Sequence, residues 1–283
     1  MGERGLVVVG AGVMGHGIAQ VAAVAGYPTT LVDLDEAALS RAERAIAASL
    51  AKGVERGKLS AETMQAAQAR LTMSAALGEA AADADIVIEA VPEDMALKRR
   101  IFQTLEAAAP EDAVLGSNTS SLSVTELAGT LERPERVIGM HFFNPPPIVT
   151  LLEIVRAVQT SDRTLERTRE MARRMGREVI VVGDSPGFAT SRLGLALGLE
   201  AIRMVEQGVG SPEDIDRAME LGYRHPMGPL RLTDLVGLDT RLRIAEHLHR
   251  ELGGEQFRPP VLLRQMVRAG RLGKKSGRGF YEW

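Results

Sequence analysis

A histidine and a glutamate carry the first suggestion of chemistry in this chain. His141 ends the strand-like stretch Val137-Ile-Gly-Met-His141, and Glu153 sits inside the apolar run Leu151-Leu-Glu-Ile-Val155. An ionised carboxylate in so apolar a segment needs a partner, and the imidazole is the economical one. A carboxylate that orients an imidazole and stabilises its protonated form makes a general acid/base from the side chain whose ordinary pKa lies nearest neutrality. On these two residues alone, a satisfied core histidine beside an unrelated edge glutamate is an equally good reading.

A second constellation opens the chain. Gly10-Ala-Gly12-Val13-Met14-Gly15 has the G-x-G-x-x-G spacing, and Asp33 follows it. The spacing alone is weak, because glycine is common. Its context is specific: an apolar strand, Leu6 to Val9, precedes it, a small-residue helix from about Val13 to Ala25 follows, and a second strand, Thr29 to Val32, runs into Asp33. Gly10 then permits the tight turn, Gly12 lets a pyrophosphate approach the backbone, and Gly15 lets helix and strand pack closely. The helix start at Val13 and Met14 offers amide donors to an anion. Asp33 can accept both hydroxyls of an adenosine ribose and would repel a 2′-phosphate, so NAD is expected over NADP. The alternative is a glycine turn with no ligand.

Other polar groups are more ambiguous. Ser117-Asn-Thr-Ser120-Ser121 follows another strand, and its hydroxyls either face a ligand at the carboxyl edge of a sheet or cap a helix that starts near Val124. Glu93 and Lys98, on either side of a helix start, read on their own as a solvated surface pair. The six basic residues from Arg264 to Arg278, with no acid among them, could attract phosphates but read more simply as a solvated helix face. The absence of interleaved aromatics there argues against nucleic acid. His16, His225, His247 and His249 have no metal-like clustering, and no metal site is expected.

These groups need a scaffold, and the periodicity supplies one. Further strands are expected at 71–73, 86–90, 113–117, 137–141, 151–155 and 178–182, with helices between several of them. This is an α/β pattern, a doubly wound Rossmann-type sheet. A helical hairpin, about 36–52 and 60–69, is inserted near 36–70 where a compact unit would turn straight into its third strand. After Asp184-Ser-Pro-Gly187 the pattern becomes helical from Phe188 through Gln207. Ser211-Pro-Glu-Asp214 then supplies an N-cap, a first-turn proline and an acid. The expected domains are therefore 1–184, a dinucleotide-binding sheet, and 185–283, an all-helical unit. The run Leu193-Gly-Leu-Ala-Leu-Gly-Leu199 is apolar on more than one face, which points to dimerisation through that second domain.

At 283 residues the chain can hold two domains, and its net charge of −3 gives no reason to expect nucleic acid or an anionic membrane as partner. The chain has no cysteine, which excludes disulfides, thiolate metal sites and a cysteine nucleophile. With no signal-like or spanning apolar run, the simplest location is the cytoplasm. Of its two asparagines, Asn118 falls in the serine-rich segment above and Asn144 follows His141 by three residues.

Taken together, these residues make the chain resemble the L-3-hydroxyacyl-CoA dehydrogenase family, most closely its stand-alone bacterial 3-hydroxybutyryl-CoA dehydrogenase branch. The resemblance runs essentially end to end through Gly10-Ala-Gly-Val-Met-Gly15, Glu89-Ala-Val-Pro-Glu93, Ser117-Asn-Thr-Ser-Ser-Leu122, His141-Phe-Phe-Asn-Pro145, Asp184-Ser-Pro-Gly-Phe188, Pro226-Met-Gly-Pro229 and Gly273-Lys-Lys-Ser-Gly277. It implies NAD-dependent interconversion of a (3S)-3-hydroxyacyl-CoA and the 3-oxoacyl-CoA. His141 would be the acid/base, Glu153 its orienting partner, and Ser120 a hydrogen-bond donor to the reacting oxygen. Asn144 would help to position nicotinamide and His141, while Glu93, Lys98 and Lys275 match positions that touch the cofactor. Ser49 and Arg56, where the family has serine and lysine, match positions that touch coenzyme A, and Lys52 stands between them. The helical C-terminal domain implies a homodimer. One departure stands out: Ser191 occupies the place of a substrate-facing asparagine, and an enzyme handicapped on short acyl-CoAs, or re-tuned to another substrate, is the expected result. Two other readings are a dehydrogenase of a free hydroxy acid and a non-catalytic NAD-binding dimer. The hairpin and Phe142-Phe143 argue against the first, and the intact His141 and Glu153 against the second.

Overall fold

The computed structural model describes residues 5–283. The chain divides into two compact units, Met1–Asp184 and Ser185–Trp283. The first holds eight strands: β1 (Gly5–Val9), β2 (Thr29–Val32), β3 (Leu71–Ser74), β4 (Ala84–Glu89), β5 (Val114–Ser117), β6 (Val137–Phe142), β7 (Leu151–Arg156) and β8 (Glu178–Gly183). Its helices are α1 (Val13–Val24), α2 (Glu36–Glu55), α3 (Ala61–Ala69), α4 (Leu77–Ala81), α5 (Met95–Ala108), α6 (Val124–Ala128) and α7 (Asp162–Arg174). The strands form one sheet in the order β3-β2-β1-β4-β5-β6-β7-β8. β1 lies between β2 and β4, so the chain reverses direction across the sheet beside it, the crevice where such folds bind ligands. The valine- and isoleucine-bearing runs of β1, β4 and β6 are buried nearly throughout, as strands covered on both faces must be.

Every neighbouring pair is parallel except β6 and β7. The exception has a simple cause: the connection 143–150 is far too short for the crossover that a parallel return requires. The hairpin of α2 and α3 stands where the sequence pattern placed it. Asp35 caps α2 through Ala37 N, and Ser60 caps α3 through Thr63 N.

The second unit is a bundle of α8 (Thr190–Glu206), α9 (Pro212–Gly222), α10 (Pro229–Val236), α11 (Leu238–Leu252) and α12 (Val261–Arg268). Its core is built from Leu195, Leu199, Ile202, Leu230, Leu238 and Leu248 among others. α8 begins two residues later than the apolar pattern suggests, because Phe188 has φ +50° and breaks the helical path. Ser211 caps α9 through Asp214 N at 3.1 Å. Two buried aspartates fasten the C-terminal tail. Asp234 accepts from Phe280 N, Tyr281 N and Trp283 Nε1 at 2.9, 2.9 and 3.0 Å, and Asp216 accepts from Leu230 N, Arg231 N and Tyr281 Oη at 2.7, 2.8 and 2.8 Å. The basic residues between Arg264 and Arg278 are all exposed, and the Lys275 ammonium pairs with Asp239.

Candidate active site

Because β2, β1, β4, β5 and β6 are parallel, their carboxyl ends share one edge of the sheet. Register lines up the groups there: Val9 lies beside Glu89, Glu89 beside Ser117, and Ser117 beside Gly139, two residues before His141. Read across the sheet, that edge carries Asp33, the Gly10 loop, Glu89 and Glu93, the serine loop and His141.

At one end is a cleft of about 830 Å³ lined by Gly10, Gly12, Val13, Met14, Asp33, Leu34 and Pro92, with further apolar side chains from α2 and α5. Gly10 has φ +104°, which strains any residue with a Cβ. A Cβ on Gly15 would lie 1.7 Å from the Gly10 carbonyl oxygen, so only glycine lets α1 pack this close to the turn. No side chain caps the N-terminus of α1, which leaves its first amides directed at the cleft. The Asp33 carboxylate is pinned by Ala11 N at 2.7 Å and Asp35 N at 3.0 Å. Each of its oxygens keeps a second lone pair for a sugar hydroxyl. Apolar walls, an amide-lined turn and one fixed acid fit a dinucleotide without a 2′-phosphate.

At the other end, His141 and Glu153 face each other across β6 and β7. Directly opposed residues of an antiparallel pair project to the same face, and Nδ1 of His141 lies 2.8 Å from Oε2 of Glu153. Glu153 is fully buried, whereas His141 keeps 7 % of its surface. The Phe143 ring leans on the imidazole with centroids 4.4 Å apart. The two residues are therefore a bonded pair rather than two unrelated polar groups.

Between the two ends lies a polar network. Glu89 is fully buried and accepts from Lys98 Nζ at 2.7 Å, Val91 N at 2.7 Å and Ser117 Oγ at 2.6 Å. Lys98, 1 % exposed, also stands 3.4 Å from Glu93. Glu93 and Lys98 are thus no solvated surface pair: the apolar side of α5 draws the lysine inward, where two carboxylates hold its charge. Oε1 of Glu93 accepts from Thr119 Oγ1 at 2.7 Å, from the amides of Ser120 and Ser121 at 3.0 and 3.1 Å, and from their hydroxyls at 3.3 and 3.2 Å. Burial would raise the Glu93 carboxyl, but the Lys98 charge and these donors outweigh it and hold its pKa below the ordinary value. The cap of α6 is Ser123, bonded to Glu126 N at 3.1 Å, so the serine loop is not consumed by capping. Asn118 Oδ1 accepts from Phe142 N at 2.9 Å, tying that loop to the residue after His141.

The remaining expected residues are more dispersed. Asn144 is exposed three residues beyond His141. Ser49, half-buried, and Lys52 and Arg56, both exposed, occupy one face of α2 at i, i+3 and i+7. Ser191 lies in the first turn of α8, in the second unit. Glu89 and Asn118 were missed as site residues. Glu89 ends the apolar run Ile86-Val-Ile-Glu89 and could have been found by the reasoning that marked Glu153.

A model of the 3-hydroxyacyl-CoA dehydrogenase NAD-binding domain matches residues 5–185, and one of the 3-hydroxyacyl-CoA dehydrogenase C-terminal domain matches 187–283. A relative from Bacillus subtilis named "Probable 3-hydroxybutyryl-CoA dehydrogenase" is 46 % identical over 98 % of this chain and 96 % of its own. M. tuberculosis FadB2 superposes with a TM-score of 0.95 at 44 % identity, covering 99 % of both chains. The (S)-3-hydroxybutyryl-CoA dehydrogenase PaaH1 of Ralstonia eutropha gives 0.95 at 41 % identity, over 100 % of this chain and 99 % of the other.

Proposed function

The chain belongs to the 3-hydroxyacyl-CoA dehydrogenase family, and from that premise we propose that it interconverts (3S)-3-hydroxyacyl-CoA and 3-oxoacyl-CoA with NAD, acting on short acyl chains such as 3-hydroxybutyryl. The observation that carries this reading is the 2.8 Å bond between His141 and Glu153 at the end of the sheet edge. With Nδ1 committed to the carboxylate, proton exchange falls to Nε2. In oxidation, Nε2 takes the hydroxyl proton, and Glu153 stabilises the imidazolium that results. In reduction, the same imidazolium protonates the developing alkoxide. When bound, NAD supplies the acceptor for the hydride that leaves C3, and NADH returns it.

Gly10, Gly12, Val13, Met14, Gly15 and Asp33 hold the dinucleotide. Ser120, turning its hydroxyl away from Glu93, donates to the reacting oxygen, and Asn144 positions nicotinamide against His141. Glu93 and Lys98 act at the cofactor by holding the Ser120 loop, and Lys275 contributes charge. Ser49, Lys52 and Arg56 receive coenzyme A, a polyanion suited to an exposed basic helix face. The helical unit makes a homodimer, in keeping with the exposed Leu193, Leu221 and Val261. The protein acts in the cytoplasm; among the described residues no helix is long and apolar enough to cross a membrane.

The test is steady-state reduction of acetoacetyl-CoA with NADH and NADPH side by side. Turnover with NADH preferred is expected, and Asp33→Ser should narrow the preference. Absence of NADH oxidation with every 3-oxoacyl-CoA offered would remove the reading.

A further inference from the structure

β8 ends the sheet, with β7 on one side and no strand on the other. Glu178 N donates to Thr150 O at 3.0 Å and Asp184 N to Arg156 O at 2.9 Å, so the even-numbered residues of the strand turn their amides toward β7. By the alternation of a strand, Val179, Val181 and Gly183 turn theirs outward. Their N–H and C=O groups have no hydrogen-bond partner among the described residues. An open edge of this kind pairs with any extended chain that fits it, and proteins commonly blunt it with a bulge or a proline. β8 has neither, and its Ile180 is 36 % exposed.

A groove of about 400 Å³ opens at this strand, lined by Val179 and Val181, by Arg169 and Arg173 of α7, and by Arg177 and Glu178 where β8 begins. Its charge is unbalanced. Arg169 pairs with Glu166 at 2.6 Å, and Arg177 donates to the backbone carbonyls of Met175, Pro146 and Val149, each at 2.9 Å, which neutralise nothing. The exposed Arg173 side chain has no ion pair or hydrogen bond among the described residues. Glu178 is the one acid of the lining, and alternation puts its side chain on the face of Ile180, away from Val179 and Val181. Spacing fits a strand as well as charge fits an acid. Four helical residues separate Arg169 from Arg173, about 6 Å along the axis of α7, close to the roughly 6.6 Å between alternate side chains of a strand. A strand laid on β8 therefore offers every second side chain to those arginines and the others to the face of Ile180 and Val182. A second copy of the chain fits badly: joining two β8 edges about a twofold axis sets both α7 helices on one face of the joined sheet, arginines against arginines. A small anion would meet the arginines but leave the outward amides unpaired.

We infer that the β8 edge is a docking strand for another protein, which adds an extended segment of alternating acidic and apolar residues. The acids lie toward Arg169 and Arg173, and the apolar side chains lie beside Ile180. Every residue of this surface belongs to the sheet domain, and the inference stands independently of the reaction proposed above.

The experiment titrates the full chain into a short fluorescein-labelled peptide of alternating glutamate and valine and follows anisotropy. Saturable binding that weakens with added salt is expected, and a lysine/valine peptide should not bind. Joint replacement Arg169→Glu and Arg173→Glu should weaken binding by at least about tenfold, because like charges then face each other. Val181→Pro removes the central outward amide, leaves the ladder to β7 whole and changes no charge, so it too should weaken binding. If that variant fails to fold, the peptide answers the same question. Versions N-methylated on the glutamates or on the valines offer β8 opposite sets of amides, and only one of the two should lose affinity. Equal affinity of those two versions, or no binding of the parent peptide, overturns the proposal; in the latter case the arginines serve only to keep the edge from aggregating. Self-association by light scattering that disappears in Val181→Pro makes the occupant a second copy of the chain, and overturns it as well.

Discussion

Two carboxylates of the sheet domain are wholly buried beside a cation, and they serve opposite ends. Glu89 holds Lys98, an ammonium that is 1 % exposed; Glu153 holds His141, an imidazole that keeps a little surface. The first pair is closed to solvent, and its effect is positional: it fixes Val91, Ser117 and, through Glu93, the serine loop. The second pair keeps a little surface on the histidine side, where the function proposed above brings the substrate. Identical acids thus sit in different settings according to the partner and its exposure: one a closed brace, the other the pair proposed above to move a proton.

The contrast can be broken at its reactive half first. His141→Ala and Glu153→Gln should each lower kcat severely, by ~10²- to 10⁴-fold for the general acid/base itself, with NADH affinity nearly intact. Stopped-flow reduction of acetoacetyl-CoA alongside NADH fluorescence titration separates the two quantities, and brisk turnover by His141→Ala would contradict the assignment. At the brace, Lys98→Met leaves Glu89 charged and alone, at a cost of about 3–5 kcal/mol in urea unfolding. Adding Glu89→Gln should recover much of that loss, and a double variant no better than the single would show that the pair is not the unit. A smaller effect belongs to Glu93. Its depressed carboxyl stabilises the fold fully above the ordinary glutamate value of 4.5, and the stabilisation disappears as pH falls through the lower folded value. The Tm difference between wild type and Glu93→Gln should therefore shrink on acidification below that point and stay flat above it. The smallest change lies outside both pairs. Ser191→Asn should raise kcat for acetoacetyl-CoA severalfold if serine merely falls short of the substrate; an unchanged or lower kcat would point to a different acyl substrate.

Much of the fold was legible because its signals are local. The β1–Gly10–α1–β2 unit follows from period, glycine spacing and a terminal acid, and the hairpin and the helical period after Asp184 are equally plain. His141 and Glu153 could be paired because a charge in an apolar run demands a partner. Lys98 was misjudged because the residues around it look like an ordinary amphipathic helix. Its burial depends on which side of α5 the sheet covers, and no sequence window contains that.

The antiparallel turn between β6 and β7 makes the acid/base pair a matter of parity. Side chains alternate faces along a strand, so a slip of one residue would set Leu152 or Ile154 against His141 and send the carboxylate to the opposite side of the sheet. No graded weakening connects the two arrangements. The pair is either whole or missing, and the apolar neighbours that would be displaced with Glu153 are what hold the count.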